Sequence, residues 1–310
     1  MTALQSGFLL TFITGLLWSF VGIYYKAMAK WKLNVYGIML LSGALSFLLT
    51  LLFFTKAGSL FSGAIPAPSP GYVLFLFAAS LANVTGSFIL QRSMVYGRSG
   101  VTWAIGQSAF ILPFLFITLF FSEPWSTLKG AGTLSVLAGI LLFAAKTSSS
   151  DRNDAPLPKY GIRLALLAFL VLGAAQSMTS MSSFFSYQDQ GLIRPAIACF
   201  STFLAAVAGK FLMKEKGFSL DRRALLIILL HAAQTVVATS LQFLALDKLK
   251  VCGMNGIFFP VAIGCCIALY SVWSVLFFKE KANKPFLFGI LLILGGIFCY
   301  FLADAAIVPR

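Results

Sequence analysis

Charge is scarce in this chain, and negative charge is scarcest. Of 310 residues only 10% are Asp, Glu, Lys or Arg, with 9 acidic residues and a single histidine. Soluble domains carry about 25% charged residues, so a fold surrounded by water is excluded at once. An active site needs convergent acid, base, nucleophile or metal ligands. One lone His, with every carboxylate at a helix end or in a connector, predicts no enzyme, no metal and no cofactor. A phosphate-cradling glycine loop is missing as well, which removes ATP as a direct energy source. The five cysteines, Cys199, Cys252, Cys265, Cys266 and Cys299, sit in apolar runs without metal-ligand or redox spacing.

Apolar residues fill the space that charge leaves: 59% are hydrophobic, and the mean hydropathy is +0.93. The formal charge of +14, from 23 basic residues, would suggest nucleic acid in a soluble protein. Here the basic residues lie in short connectors between apolar runs, where they set membrane topology, so nucleic acid is not an expected partner and membrane lipid is. The first residues, MTALQSGFLLTFITGLLWSFVGIYYK, have no basic leader region and no small-residue cleavage site, and are expected to be a retained helix.

A helix crosses a bilayer core with roughly 20 apolar residues. Cutting the chain at charge clusters and at Pro, Gly and Ser runs predicts ten spans, at about 6–26, 34–55, 71–91, 99–121, 128–146, 160–187, 191–213, 223–246, 251–278 and 285–303. Continuous runs such as FILPFLFITLFF lack the alternation of a membrane β-barrel. The expected fold class is therefore an all-α integral membrane protein of ten transmembrane helices in two inverted five-helix repeats. Residues 1–146 would form the first repeat, 147–159 a linker, and 160–310 the second. Phe120-Phe121-Ser122-Glu123 precedes Gly132 and Gly139, and Phe277-Phe278-Lys279-Glu280 precedes Gly289 and Gly296, both at the same spacing. Six basic residues, Lys56, Lys129, Arg194, Lys248, Lys250 and Arg310, fall on one face and the remaining 17 of 23 on the other. By the positive-inside rule both termini lie outside the cytoplasm, as for a multi-pass protein of a cell inner membrane. Five helices per repeat, an odd number, force the repeats upside down to one another, a plan of secondary transporters that hold solute between the halves.

These residues resemble the drug/metabolite transporter superfamily, of EamA-like ten-helix carriers, in helix number, repeat length and the Glu-then-Gly pattern. YYKAMAKWKLNVYGIMLLSG and GSFILQRSMVYGRSGVTWAIGQS look most like the L-rhamnose-proton symporter and related sugar uptake carriers. The resemblance implies alternating-access transport of a small polar substrate, a sugar or related polyol, with a proton as the candidate coupling ion. An exporter of amino acids or other metabolites is the alternative within that superfamily, and a non-transporting accessory or sensor protein is the alternative of another class. The sequence does not address oligomeric state.

Polar residues at helical spacing mark the expected cavity wall. His231, Gln234, Ala238 and Gln242 share one face of the eighth span, and Gln176, Ser180, Ser183 and Tyr187 one face of the sixth. Trp18 and Tyr25, Asn83 and Ser87, and Trp103 and Gln107 follow the same logic in the first half. Amides would bond solute hydroxyls, aromatic rings would stack on sugar CH faces, and His231 would bind substrate or carry a proton. Each could instead serve only as interhelical glue or an interfacial anchor. Asn255, with Pro260 and Pro113, would open backbone groups to the cavity at kinks. Glu123 and Glu280 read as structural carboxylates near helix starts, and the connector lysines and arginines as topology signals.

Overall fold

The computed structural model describes residues 2–53, 69–96, 99–150, 159–185, 193–212, 220–278 and 284–305. Its helices are α1 (Ala3–Lys30), α2 (Val35–Phe53), α3 (Pro70–Tyr96), α4 (Ser99–Gln107), α5 (Ile111–Phe120), α6 (Thr127–Ser150), α7 (Lys159–Met181), α8 (Ile193–Leu212), α9 (Arg222–Val251), α10 (Phe258–Phe278) and α11 (Lys284–Ala305). No strand occurs among the described residues. Seven helical stretches are long and apolar enough to cross a membrane, and Gly37–Leu52, Thr127–Leu142 and Ile193–Ala208 are shorter apolar helices. The chain is thus a multi-pass membrane protein of helical class.

Exposure is distributed as lipid would require. Leu52, Leu74, Leu119, Phe120, Leu134 and Leu291 are all more than 60% exposed, whereas Thr11, Thr14, Ser42, Ser46 and Thr50 are buried. These hydroxyls donate to carbonyls one turn back, at 2.6–2.8 Å for Thr11, Thr14, Ser46 and Thr50, so small polar residues enter the interior at no cost in unmet hydrogen bonds.

The predicted fourth span is two helices. A 3-10 turn at Ser108–Phe110 separates α4 from α5 because Pro113 has no N–H to give and its ring crowds the carbonyl of Ala109. A second 3-10 turn, Asn255–Ile257, leads into α10, where Pro260 is tolerated in the first turn. The sixth span ends earlier than expected: α7 stops at Met181 and a 3-10 turn runs to Phe184. Most of the predicted linker, 151–158, lies outside the described residues.

Helix contacts link early elements to late ones. α1 packs on α9 and α10, α3 on α7 and α8, α2 on α8 and α9, α7 on α4 and α5, and α6 on α11. The α6–α11 crossing is a close one. A Cβ on Gly132 would stand 2.8 Å from the carbonyl oxygen of Gly296, and one on Gly139 would stand 2.7 Å from that of Gly289. The two helices therefore run antiparallel, touching backbone to backbone at the four motif glycines, as small residues permit in membranes. Between these contacts Ser135 Oγ donates to the Leu292 carbonyl at 2.7 Å.

Candidate functional site

The expected polar faces of α7 and α9 are turned inward. Gln176 and Gln234 are each 8% exposed and Ser180 is fully buried. Gln176 Oε1, Ser180 Oγ and Gln234 Oε1 find no hydrogen-bond partner in the protein. A buried oxygen left so costs about 1–3 kcal/mol; such groups are rare enough to need a reason. α7 lies on α3, α4 and α5, α9 on α1, α2 and α8, and among the described residues the two do not pack extensively on one another. Gln242 is half-buried on the same helix.

His231 is accounted for differently. Its Nδ1 lies 3.1 Å from Ser42 Oγ on α2, and Tyr24 of α1 meets its ring edge-on at 5.9 Å. One turn away Ser46 Oγ approaches the Ala232 carbonyl at 3.3 Å. This is the interhelical alternative: His231 joins α9 to α2 and α1. Ser183 is likewise engaged, accepting from Arg194 Nη1 at 3.3 Å. Tyr187 lies outside the described residues.

In the first half, Trp18 is half-buried with its ring 6.2 Å from Phe258 and 6.4 Å from Phe259. Trp103 is half-buried between two apolar clusters, and Gln107 is half-buried where α4 stops. Tyr25 Oη accepts from Gln91 Nε2 at 2.8 Å, a bond from α1 to α3 that sequence spacing gave no reason to single out.

Asn83 is exposed. Its position on α3 is informative. Leu74, 67% exposed, marks the outward side; Asn83 is nine residues on, two and a half turns, and so on the opposite side. Its neighbours there, Leu76, Ala79 and Leu90, are buried. The inward face of α3 is therefore open at Asn83. A Cβ on Gly86 of α3 would meet Leu172 of α7, and Tyr72 Oη donates to the Ser182 carbonyl at 3.4 Å. The helices are antiparallel, and Asn83 stands about level with Gln176.

Asn255 is fully buried; its Nδ2 donates to the Leu246 carbonyl at 3.0 Å, and its Oδ1 has no partner. Beside it, Glu123 Oε2 accepts the Gly256 N–H at 2.9 Å. The carboxylate does meet a helix start, but that of the 3-10 turn before α10, far along the chain. Lys129, counted from the sequence as a topology signal at the edge of the fifth span, is 1% exposed and donates through Nζ to Glu123 Oε1 at 3.2 Å, the Pro124 carbonyl at 2.8 Å and the Gly253 carbonyl at 2.9 Å. Glu280 lies outside the described residues.

Burial raises the Glu123 carboxyl above its ordinary value of 4.5, against the lowering pull of Lys129 and the Gly256 N–H. In the window between the unfolded and folded values the folded protein holds a proton that the unfolded chain releases, so this group's contribution to stability is full below pH 4.5 and is lost as pH rises through the folded value. Thermal unfolding in detergent across that window should show this decline, and the Glu123→Gln variant should lose it.

No family model and no curated protein matches the chain. A solved structure described as "Crystal structure of protein" is similar over 96% of this chain and 99% of its own, with a TM-score of 0.75 at 15% identity. The likeness is one of fold. It extends over nearly the whole of both chains, so a second sequence with most residues changed adopts this helix arrangement.

Proposed function

We propose that this protein is a secondary transporter of a small, uncharged polar solute, a sugar or related polyol, that works by alternating access of two inverted five-helix halves in a cell inner membrane. The observation that carries this reading is the set of unpartnered oxygens at Gln176, Ser180 and Gln234. They are buried oxygens without partners, and solute hydroxyls can supply the hydrogen bonds they lack. The opening at Asn83, level with Gln176, gives water and solute an approach.

The inverted halves draw support from the helix contacts. Exchanging α1 with α7, α2 with α8, α3 with α9, α4 and α5 with α10, and α6 with α11 turns α1–α9 into α7–α3, α1–α10 into α7–α5, and α2–α9 into α8–α3, all of them observed. The pairs α2–α8 and α6–α11 map onto themselves. Ser135 and Leu292, joined on the axis of that exchange, are 157 residues apart, the same interval that separates Glu123 from Glu280. A proton gradient is the first driving force to try, since inverted-repeat carriers couple to ions and His231 is the single imidazole.

Uptake of labelled rhamnose and a panel of sugars and amino acids into proteoliposomes, with and without an inward proton gradient, tests the proposal. Gln234→Leu and Gln176→Leu should each lower sugar uptake at least tenfold while leaving thermal stability equal or higher, because an unmet amide is replaced by an apolar group of similar size. A loss of stability in step with uptake would make the glutamines structural. Amino-acid flux without sugar flux would point to the exporter alternative.

A further inference from the structure

At one end of the helix bundle the described residues make a group of contacts between elements. Phe121, just past α5, packs against Phe184, just past α7, with ring centroids 4.3 Å apart. Lys250 Nζ stands 5.3 Å from the centre of the Phe184 ring. Arg194, at the start of α8 and 4% exposed, donates from Nη1 to Ser183 Oγ at 3.3 Å and to Asp247 Oδ1 at 3.1 Å, and from Nη2 to Asp247 Oδ2. Its guanidinium lies 4.8 Å from the centre of the Phe243 ring. One cation thus ties together the ends of α7, α8 and α9. On the other side of Phe121, Glu123 and Lys129 fasten the α5–α6 corner to Gly253 and Gly256.

The two ion pairs differ in their access to water. The side chains of Lys129 and Glu123 are 1% and 2% exposed, so parting them strands two charges in a dry site. The Asp247 side chain is 40% exposed against 5% for Arg194; one partner is already hydrated, and such a pair parts readily. Behind Phe184 the helix has given way to a 3-10 turn, Ser182–Phe184, whose hydrogen bonds are poorer than those of an α-helix. Ser180 and Gln176, with their unpartnered oxygens, stand one and two turns below Phe184.

We propose that the Phe121–Phe184 contact is a gate over those oxygens, that the Arg194–Asp247 pair is its latch, and that the Glu123–Lys129 cluster is the fixed hinge about which it opens. The proposal rests on the transporter reading for the gate's purpose; the parting of this end is measurable without any solute. The full chain in proteoliposomes is followed by hydrogen exchange in wild type, Arg194→Gln and Asp247→Asn, the second variant changing the more exposed partner should the first fold poorly. Amides of residues 181–184 should exchange at least tenfold faster in both variants, with those of α6 and α11 unchanged. Joining Phe121→Cys to Phe184→Cys by oxidation should cancel the increase, wild type oxidised in parallel serving as control for the native cysteines. Unchanged exchange at 181–184, or an equal rise throughout α6 and α11, overturns the latch. Sugar flux that stops on oxidation and returns with reductant supports the gate. Flux that survives complete cross-linking overturns it and leaves the transporter reading standing. If wild type carries no solute in the panel, the transporter reading fails, and the exchange data alone decide whether the latch holds this end.

Discussion

Lys129→Met should destabilise the protein by about 3–5 kcal/mol, the usual cost of removing one partner of a buried pair. The side chain is 1% exposed and bonds a carboxylate and two carbonyls. Methionine fills much of the volume but supplies no donor, leaving Glu123 to carry a charge with only backbone amide support or to take up a proton. Detergent unfolding curves for Lys129→Met, Glu123→Leu and the double variant measure this. The double variant should recover a large part of the loss, since an ion pair replaced as a unit by apolar groups is often close to neutral. Recovery will be incomplete, because the Pro124 and Gly253 carbonyls and the Gly256 N–H still lose their partners. A cost below about 1 kcal/mol for the single change, the range of exposed pairs, would mean that water reaches the pair.

Two adjacent glycines of α11 should respond with opposite signs. A Cβ on Gly296 would stand 2.6 Å from the Gly132 carbonyl oxygen, 2.8 Å from Val136 Cγ2 and 3.0 Å from Val136 N. Two of these atoms are backbone and cannot rotate aside, so α6 and α11 must separate along their length. Gly296→Ala should cost about 1–3 kcal/mol, the range for overpacking, and Gly296→Leu should prevent recovery of folded protein. Gly295 has nothing within 4 Å of the same construction. Gly295→Ala meets no clash and should gain up to about 1 kcal/mol of helix propensity. Chromatographic yield and melting temperature of the two alanine variants compare them within one turn of one helix. Equal effects would refute the close crossing.

The helices were legible in the sequence because lipid leaves one solution: long apolar runs that meet their own backbone hydrogen bonds. The inward faces of α7 and α9 were legible for a related reason, since polar residues recurring every three or four positions must share a side. What the spacing could not say is whether a polar group on that side is already satisfied. His231 and Gln234 are three residues apart on one stripe, yet His231 is paired with Ser42 and Gln234 Oε1 with nothing. That difference depends on α2, whose Ser42, Ser46 and Thr50 also share one helical face, a spacing that does not say which helix they meet. Arg194 and Lys129 were hidden because a basic residue at a helix boundary satisfies the topology rule whether it faces water or the interior. Pro113 marked a kink from the sequence, but the 3-10 turn before α5 needed the backbone.

The bond between Glu123 and the Gly256 amide joins residues 133 positions apart. At ribosomal rates of roughly 5–20 residues per second, an interval on the order of 10 s passes between synthesis of the carboxylate and synthesis of its amide partner. Throughout that interval the growing chain holds a carboxylate and an ammonium with only each other and the Pro124 carbonyl for partners, and the glycine face of α6 has no α11 to close upon. The nascent first half is thus an unfinished object that the membrane insertion machinery must shelter. The same feature makes the halves natural fragments for separate expression, each expected to be degraded alone and retained when both are made in one cell.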